Sequence, residues 1–332
     1  MKVCFFAHVP QKDILNTVSF YATDIQILRD LGYEVILATR FSEIPISCDL
    51  YFIWWWTWAF MPLLKALNKP TLITGAFDYI TYPVEKSYLY RPLLEKMLMS
   101  AALRWTKANL FISHFEYDAV TSNLPTCNPH YVPCAVNTNL YTVADKQREN
   151  FIFNVAWSGE FNAQRKCLKQ IIEAFPAVLA KYPGIRLVMA GRQGEFHPIL
   201  VEAAQALGIS DKIDFIGVVS EEEKIRLMQR CAVYVQPTLE EGFGLAIAEA
   251  MACGAAVVTS PAGAVPEVVG ENGILVDGHD VSAISNGIIQ LLDDKNLRDD
   301  LGKRARAYIV ENYQYHRRRD ALAQIINEIT SG

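Results

Sequence analysis

Residues 232–254 read AVYVQPTLEEGFGLAIAEAMACG, and their order decides the fold. AVYVQP is a short apolar run of the kind a fully buried parallel strand needs. Gly242 and Gly244 follow, and LAIAEAMA then has the character of a helix. A strand that passes through a glycine turn into a helix is the repeating unit of a parallel α/β sheet. Glycines at such a turn let a ligand approach the backbone closely. The free N–H groups of a helix start carry about half a positive charge and suit an anion such as a diphosphate. Glu241 precedes the helix start. Glu249 follows eight residues later, about two turns on if the whole span were helical. Carboxylates only accept hydrogen bonds, so their natural partners are hydroxyls. The competing reading is an ordinary helix with an acidic first turn, which leaves the glycines, both acids and the preceding strand to coincidence.

The same rhythm extends in both directions. Toward the C-terminus, FIFNVAW, IRLVMAG, IDFIGV, AAVVTS and GILVD read as strands, with helices over 168–181, 198–207, 221–230, 281–292 and 297–311. Toward the N-terminus, KVCFFAH, EVILAT, DLYFIWW, TLIT and ANLFIS read as strands, with helices over 18–31 and 93–105. MKVCFFAHVPQ resembles a signal sequence for a few residues, but its apolar run is short and reads as a first buried strand. The stretch TVADKQREN (142–150) is polar and aperiodic. It divides the chain into an N-terminal domain (1–147) and a C-terminal domain (148–312), followed by a helix within 313–332 that begins with His316, Arg317, Arg318 and Arg319. The expected fold class is α/β, with two Rossmann-like doubly wound domains facing each other across a cleft. Ligands then belong in the loops after the strands.

Composition narrows the function. The chain has 332 residues, 51% of them apolar and 20% charged, which suits two soluble domains. A net charge of −5 argues against nucleic acid as a partner. The seven cysteines are odd in number and widely spaced, and read as buried free thiols in a reducing compartment. No apolar run reaches the roughly 20 residues that span a bilayer. There is no Asp-x-Asp element for a divalent metal, and neither half opens with a Gly-x-Gly-x-x-Gly turn, so a Rossmann dehydrogenase is disfavoured.

EGFGLAIAEAMACGAAVV resembles the Glu, seven residues, Glu signature of family 4 (group 1) glycosyltransferases, which are retaining enzymes of the GT-B fold. The resemblance covers the whole C-terminal half. It includes VMAGRQGE with Gly191, IDFIGVVSEEEKIRLMQRCAVYVQPT with Val218 near the base, and PAGAVPEVVGENGILVD. It implies that Glu241 holds the donor sugar together with the backbone of Phe243, Gly244 and Leu245, and that Glu249 binds ribose hydroxyls. The family has an Arg directly after Gly159 and a Lys six residues beyond that Arg, both reaching the diphosphate. Lys166 matches, but Glu160 stands where the Arg should be, and Arg165 is either its replacement or a solvated charge. The first domain departs further. His8 lies in the loop after strand one, and Gly75-Ala76-Phe77-Asp78 replaces a common His loop. Asp78 reads as a general base, a sugar-hydroxyl acceptor or a helix N-cap. His114 reads as structural. VPCAVNTNLY is a degenerate form of the segment in which Asn-Gly-Val-Asp is usual.

Trp54-Trp55-Trp56-Thr57-Trp58 fits core packing, an acceptor platform or a membrane-facing patch. The resemblance implies a nucleotide-sugar co-substrate, UDP-sugar first and GDP-sugar second, with no permanently bound cofactor and no metal. The diphosphate itself then takes the acceptor's proton. The acceptor is a hydroxyl of a glycan, lipid-linked or small molecule, and the location is cytoplasmic, with peripheral contact at the inner face of the membrane as a variant. A catalytically inactive GT-B protein that binds sugar nucleotides or a partner subunit is the alternative.

Overall fold

Among the described residues, twelve short strands, most of them buried on both faces, build two parallel sheets, and helices occupy most of the intervening chain. The computed structural model describes residues 1–144 and 147–331. The first sheet contains β1 (Lys2–Ala7), β2 (Glu34–Ala38), β3 (Leu50–Trp54), β4 (Thr71–Gly75), β5 (Ala108–Phe111) and β6 (Pro129–Tyr131). Its order is β2-β1-β3-β4-β5-β6, and every pairing is parallel. The second sheet contains β7 (Phe151–Val155), β8 (Arg186–Ala190), β9 (Ile213–Gly217), β10 (Val233–Gln236), β11 (Val257–Thr259) and β12 (Ile274–Leu275). Its order is β12-β11-β10-β7-β8-β9, again all parallel.

Both orders reverse once. In the first sheet β1 and β3 lie side by side while the chain winds away from them in opposite directions. In the second, β7 and β10 do so. At such switch points the loops at the carboxyl ends of the two strands diverge and leave room for a ligand. The expected α/β class and doubly wound architecture therefore hold.

Each sheet has its own core. Ile152, Leu187, Val233 and Val258 from the second sheet pack with Leu168, Ile171, Ile172, Phe175 and Val178. The last five lie on one face of the helix Leu168–Lys181 at three- and four-residue spacing. Cys4, Phe6, Tyr51, Ile53 and Phe111 pack with Met99, Ala102 and Leu103 in the first core. Helix starts are capped as their sequences ask. Ser220, Asp280 and Asp294 accept the N–H groups of Glu223, Ala283 and Leu297. β6 escapes the strand pattern because it is a three-residue edge that opens with a proline.

The chain divides into two compact units, 1–135 with 315–332, and 136–314. The division after Ala135 falls earlier than the polar stretch, of which residues 145 and 146 lie outside the described residues. Residues 136–141 go with the second unit for a physical reason. The Val136 N–H donates to the Tyr313 carbonyl, and the Arg306 guanidinium donates to the carbonyls of Thr138 and Tyr141. The final helix, Tyr315–Thr330, returns to the first unit. Its Arg318 is buried and donates to Asp24 at 2.6 and 2.8 Å and to the carbonyls of Val132 and Pro133. A charge this deep is tolerable because nearly every guanidinium N–H has an acceptor. The seven cysteines are free thiols, and all but Cys127 are buried.

Candidate functional site

The loop after β10 meets the loop and short helix after β7 at the switch point of the second sheet. Helix Glu160–Arg165 starts at Gly159, and Lys166 caps its C-terminal end. This brings two adjacent cations onto one carboxylate. Lys166 Nζ lies 2.8 Å from Glu241 Oε1, and Arg165 Nη1 lies 3.1 Å from Glu241 Oε2. Gln236 Nε2 donates to Oε1 at 3.2 Å, and the Tyr234 hydroxyl in turn holds Gln236. Arg165 also donates to the Glu240 carbonyl, and its own carbonyl accepts from the Leu239 N–H and the Thr238 hydroxyl. Arg165 is therefore no solvated helix-end charge. Glu160 sits exposed on the first turn of its helix.

Burial alone would raise the Glu241 pKa, but Lys166 and then Arg165 outweigh it and hold the carboxyl at about 2. Burial lowers the Lys166 pKa below the usual lysine range, and Glu241 opposes that fall. The result is a dense cluster in which the end of helix Glu160–Arg165 presents two basic side chains to one buried acid.

Helix Leu245–Ala252 begins immediately beyond. Gly244 is its N-cap at φ +90°, in the left-handed region where a side chain would be strained. Glu241 consequently lies in the loop ahead of the helix start, and the two acids do not share one helical span. Helical geometry leaves the N–H groups of Leu245 and Ala246 without partners inside the helix. Phe243 turns its ring inward, edge-on to Tyr313 at 5.3 Å, so only its backbone faces the turn.

Glu249 is buried on the same helix and forms a second cluster. Lys224 Nζ lies 2.9 Å from Glu249 and 3.1 Å from Glu221, and the Tyr141 hydroxyl donates to Glu221. Burial raises the Glu249 pKa, and Lys224 counters it. The Glu249 charge also acts on Lys166, so the two clusters share one field. Glu221, Lys224 and Gln236 lie within the family-like segment IDFIGVVSEEEKIRLMQRCAVYVQPT, and Tyr141 ends VPCAVNTNLY, but no role at the site follows for any of them from the sequence.

Two further glycines allow the loops after β7 and β8 to pass each other. Gly191 sits at φ +124°, and a Cβ there would stand 2.0 Å from the Ala156 carbonyl oxygen. A Cβ on Gly159 would stand 2.7 Å from the Trp157 ring. Val218 follows β9 with its side chain exposed; none of the contacts that join Glu241, Lys166 and Arg165 involves it.

Asp78 belongs to the first unit. It lies at φ +57° in the loop after β4, and its N–H and that of Phe77 both donate to the buried Glu116 carboxylate at 2.7 Å. Arg91 approaches its carboxylate at 3.6 Å. It does not cap a described helix, so the N-cap reading falls. Trp54 and Trp56 are core residues whose indole N–H groups donate to Asp24 and Asn109. Trp58 is exposed and packs against His8 at 4.3 Å. His114 stacks on Tyr131 at 3.7 Å.

Residues 146–308 match the family described as glycosyl transferases group 1. The O-antigen chain mannosyltransferase B of Escherichia coli is 30% identical over 234 residues, covering 66% of this chain and 58% of that protein. The chain thus spans less than two thirds of that relative. Among solved structures, sucrose-phosphate synthase from Thermosynechococcus elongatus superposes with a TM-score of 0.82 at 18% identity, over 100% of this chain and 99% of that one. Anabaena HepE in complex with UDP and glucose superposes with a TM-score of 0.78 at 15% identity, over 99% and 100%. Residues 146–308 thus match glycosyl transferases group 1, on a chain with the two-sheet GT-B fold of its structural neighbours.

Proposed function

We propose that the chain is a retaining glycosyltransferase that moves a hexose-type sugar from a nucleotide diphosphate to an acceptor hydroxyl without a metal ion. The observation that carries this reading is the pairing of Arg165 and Lys166 at the switch point, next to the helix start at Gly244. A diphosphate leaving group needs positive charge that is already in place when the bond breaks, because preorganised dipoles and cations cost no reorganisation. Lys166, Arg165 and the helix start supply it. Arg165 thereby takes the part that Glu160 cannot. With donor bound, the two cations are shared between Glu241 and the diphosphate, and the remaining lone pairs of Glu241 accept hydrogen bonds from the sugar's hydroxyls. Glu249, held by Lys224, accepts from the ribose. Gly159 and Gly191 leave room for the donor, and Val218 lies on the base side.

UDP-sugar is the first donor choice, supported by the UDP and glucose of the Anabaena neighbour, and GDP-sugar is the second. For the acceptor, a glycan, lipid-linked or small-molecule hydroxyl, the first unit offers Asp78 as proton acceptor or hydroxyl partner. Trp58 and His8 offer an aromatic surface of the kind on which sugar rings stack. A cytoplasmic location goes with this reading. A thermal-shift panel of UDP-, GDP-, ADP- and TDP-sugars in EDTA tests it, followed by donor hydrolysis and transfer assays. Stabilisation by one nucleotide sugar together with turnover in EDTA supports the proposal. Stabilisation without turnover favours a sugar-nucleotide-binding protein, and turnover only with added metal contradicts metal independence.

A further inference from the structure

The helix Leu93–Trp105 carries two apolar faces. One is spent on the first core through Met99, Ala102 and Leu103. The other faces outward. Leu93, Leu94, Met97 and Trp105 are between 61% and 75% exposed, and their spacing of one, three and eight residues keeps them along one side of the helix. Exposed Leu89 and Tyr90 extend this surface at its N-terminal end. A groove of about 490 Å³ runs along it, lined in part by Tyr88, Lys96, Met97, Ser100 and Trp105. Scattered exposed apolar residues are ordinary, but a contiguous run on one helix face marks a contact surface.

Its charge identifies the partner. Residues 88–107 contain Arg91, Lys96, Arg104 and Lys107 against Glu95 alone, four positive charges less one negative, or +3, in a chain of net −5. Arg91 is engaged by Glu95 at 3.4 Å and Asp78 at 3.6 Å. Among the described residues, no ion pair engages Lys96, Arg104 or Lys107. Protein–protein interfaces are depleted of lysine. An apolar stripe flanked by lysine and arginine, with Trp and Tyr near its ends, has instead the make-up of a helix lying in the headgroup region of a bilayer. No described helix is long and apolar enough to cross a membrane.

We propose that the outward face of helix Leu93–Trp105, with Leu89 and Tyr90, is a docking surface for an anionic phospholipid bilayer. It places membrane contact on this helix and not on Trp54–Trp58, two of whose indoles are buried. The proposal does not rest on the sugar-transfer reading. The test is flotation of the full chain with phosphatidylcholine vesicles, with and without phosphatidylglycerol, at low and high salt. The variants are Leu94→Glu with Met97→Glu, and Lys96→Glu with Arg104→Glu. Circular dichroism confirms folding, and UDP binding is measured in parallel as a separate readout. The expected result is flotation only with phosphatidylglycerol, weakened by salt and reduced about tenfold or more by either variant pair. Wild-type protein that stays with the soluble fraction overturns the proposal, as does equal flotation of folded variants. A concentration-dependent dimer that Leu94→Glu with Met97→Glu dissolves, without vesicle binding, also overturns it and assigns the face to a second copy of the chain.

Discussion

At the switch point of the second sheet, two cations stand 2.8 and 3.1 Å from Glu241. At the switch point of the first sheet the residues that meet are aromatic. His8 follows β1, and Trp55 to Trp58 follow β3, with Phe20 and Tyr21 packed against Trp54 and Trp55. In the proposed reaction one topological device serves two chemistries. Fixed cations beside a helix start suit a diphosphate, whose charge must be matched. Flat rings suit the apolar faces of a sugar, which needs surface more than charge. If this division is correct, substitutions in the second unit should affect donor binding and bond breaking, and those in the first should spare donor affinity.

The largest effect is expected at Lys166. Lys166→Ala should lower turnover by about 10²–10³-fold, the scale for losing one preorganised group that stabilises developing charge. Comparable turnover would remove Lys166 from the reaction and break the comparison at its stronger side. Asp78→Asn should lower turnover by about 10²-fold if the carboxylate handles a proton, with nucleotide affinity unchanged in a direct titration. A parallel loss of affinity would place Asp78 on the donor instead. Glu249→Ala should weaken nucleotide-sugar binding by roughly tenfold, from the loss of charge-assisted hydrogen bonds, in a folded protein checked by circular dichroism. Unchanged affinity would end its assignment to the ribose. Trp58→Ala should raise the acceptor KM about fivefold through lost stacking and leave the donor KM alone. Its failure to do so would leave the first switch point without a sugar surface.

The same contrast explains what the sequence discloses. Strands such as Leu50–Trp54 and Val233–Gln236 are legible because burial on both faces makes them continuous apolar runs. The helix Leu168–Lys181 is legible from its apolar periodicity. Glu241, Glu249 and Gly244 are legible because strand, turn and helix bind them into one local pattern, and Lys166 is legible only through the resemblance of its own loop to the family's. Lys224 and Tyr141 are not, because they reach the Glu249 cluster from other elements, and no spacing rule links positions that only the fold brings together. Glu116 is hidden for the same reason. It holds two N–H groups of the Asp78 loop from 38 and 39 residues away, a separation that no local pattern spans. Arg165 is an intermediate case. Its position beside Lys166 is visible, but only its contact with Glu241 separates a buried partner from a solvated charge.

In the proposed reaction Lys166 and Arg165 form the diphosphate site. Calorimetric titration of UDP into the wild-type chain and Lys166→Ala, both in EDTA, tests it most directly. The wild type should bind in the absence of metal, and the variant should bind at least about tenfold more weakly, from the loss of one charge-assisted contact. Equal affinity for both proteins, or wild-type binding only when a divalent cation is restored, would contradict it.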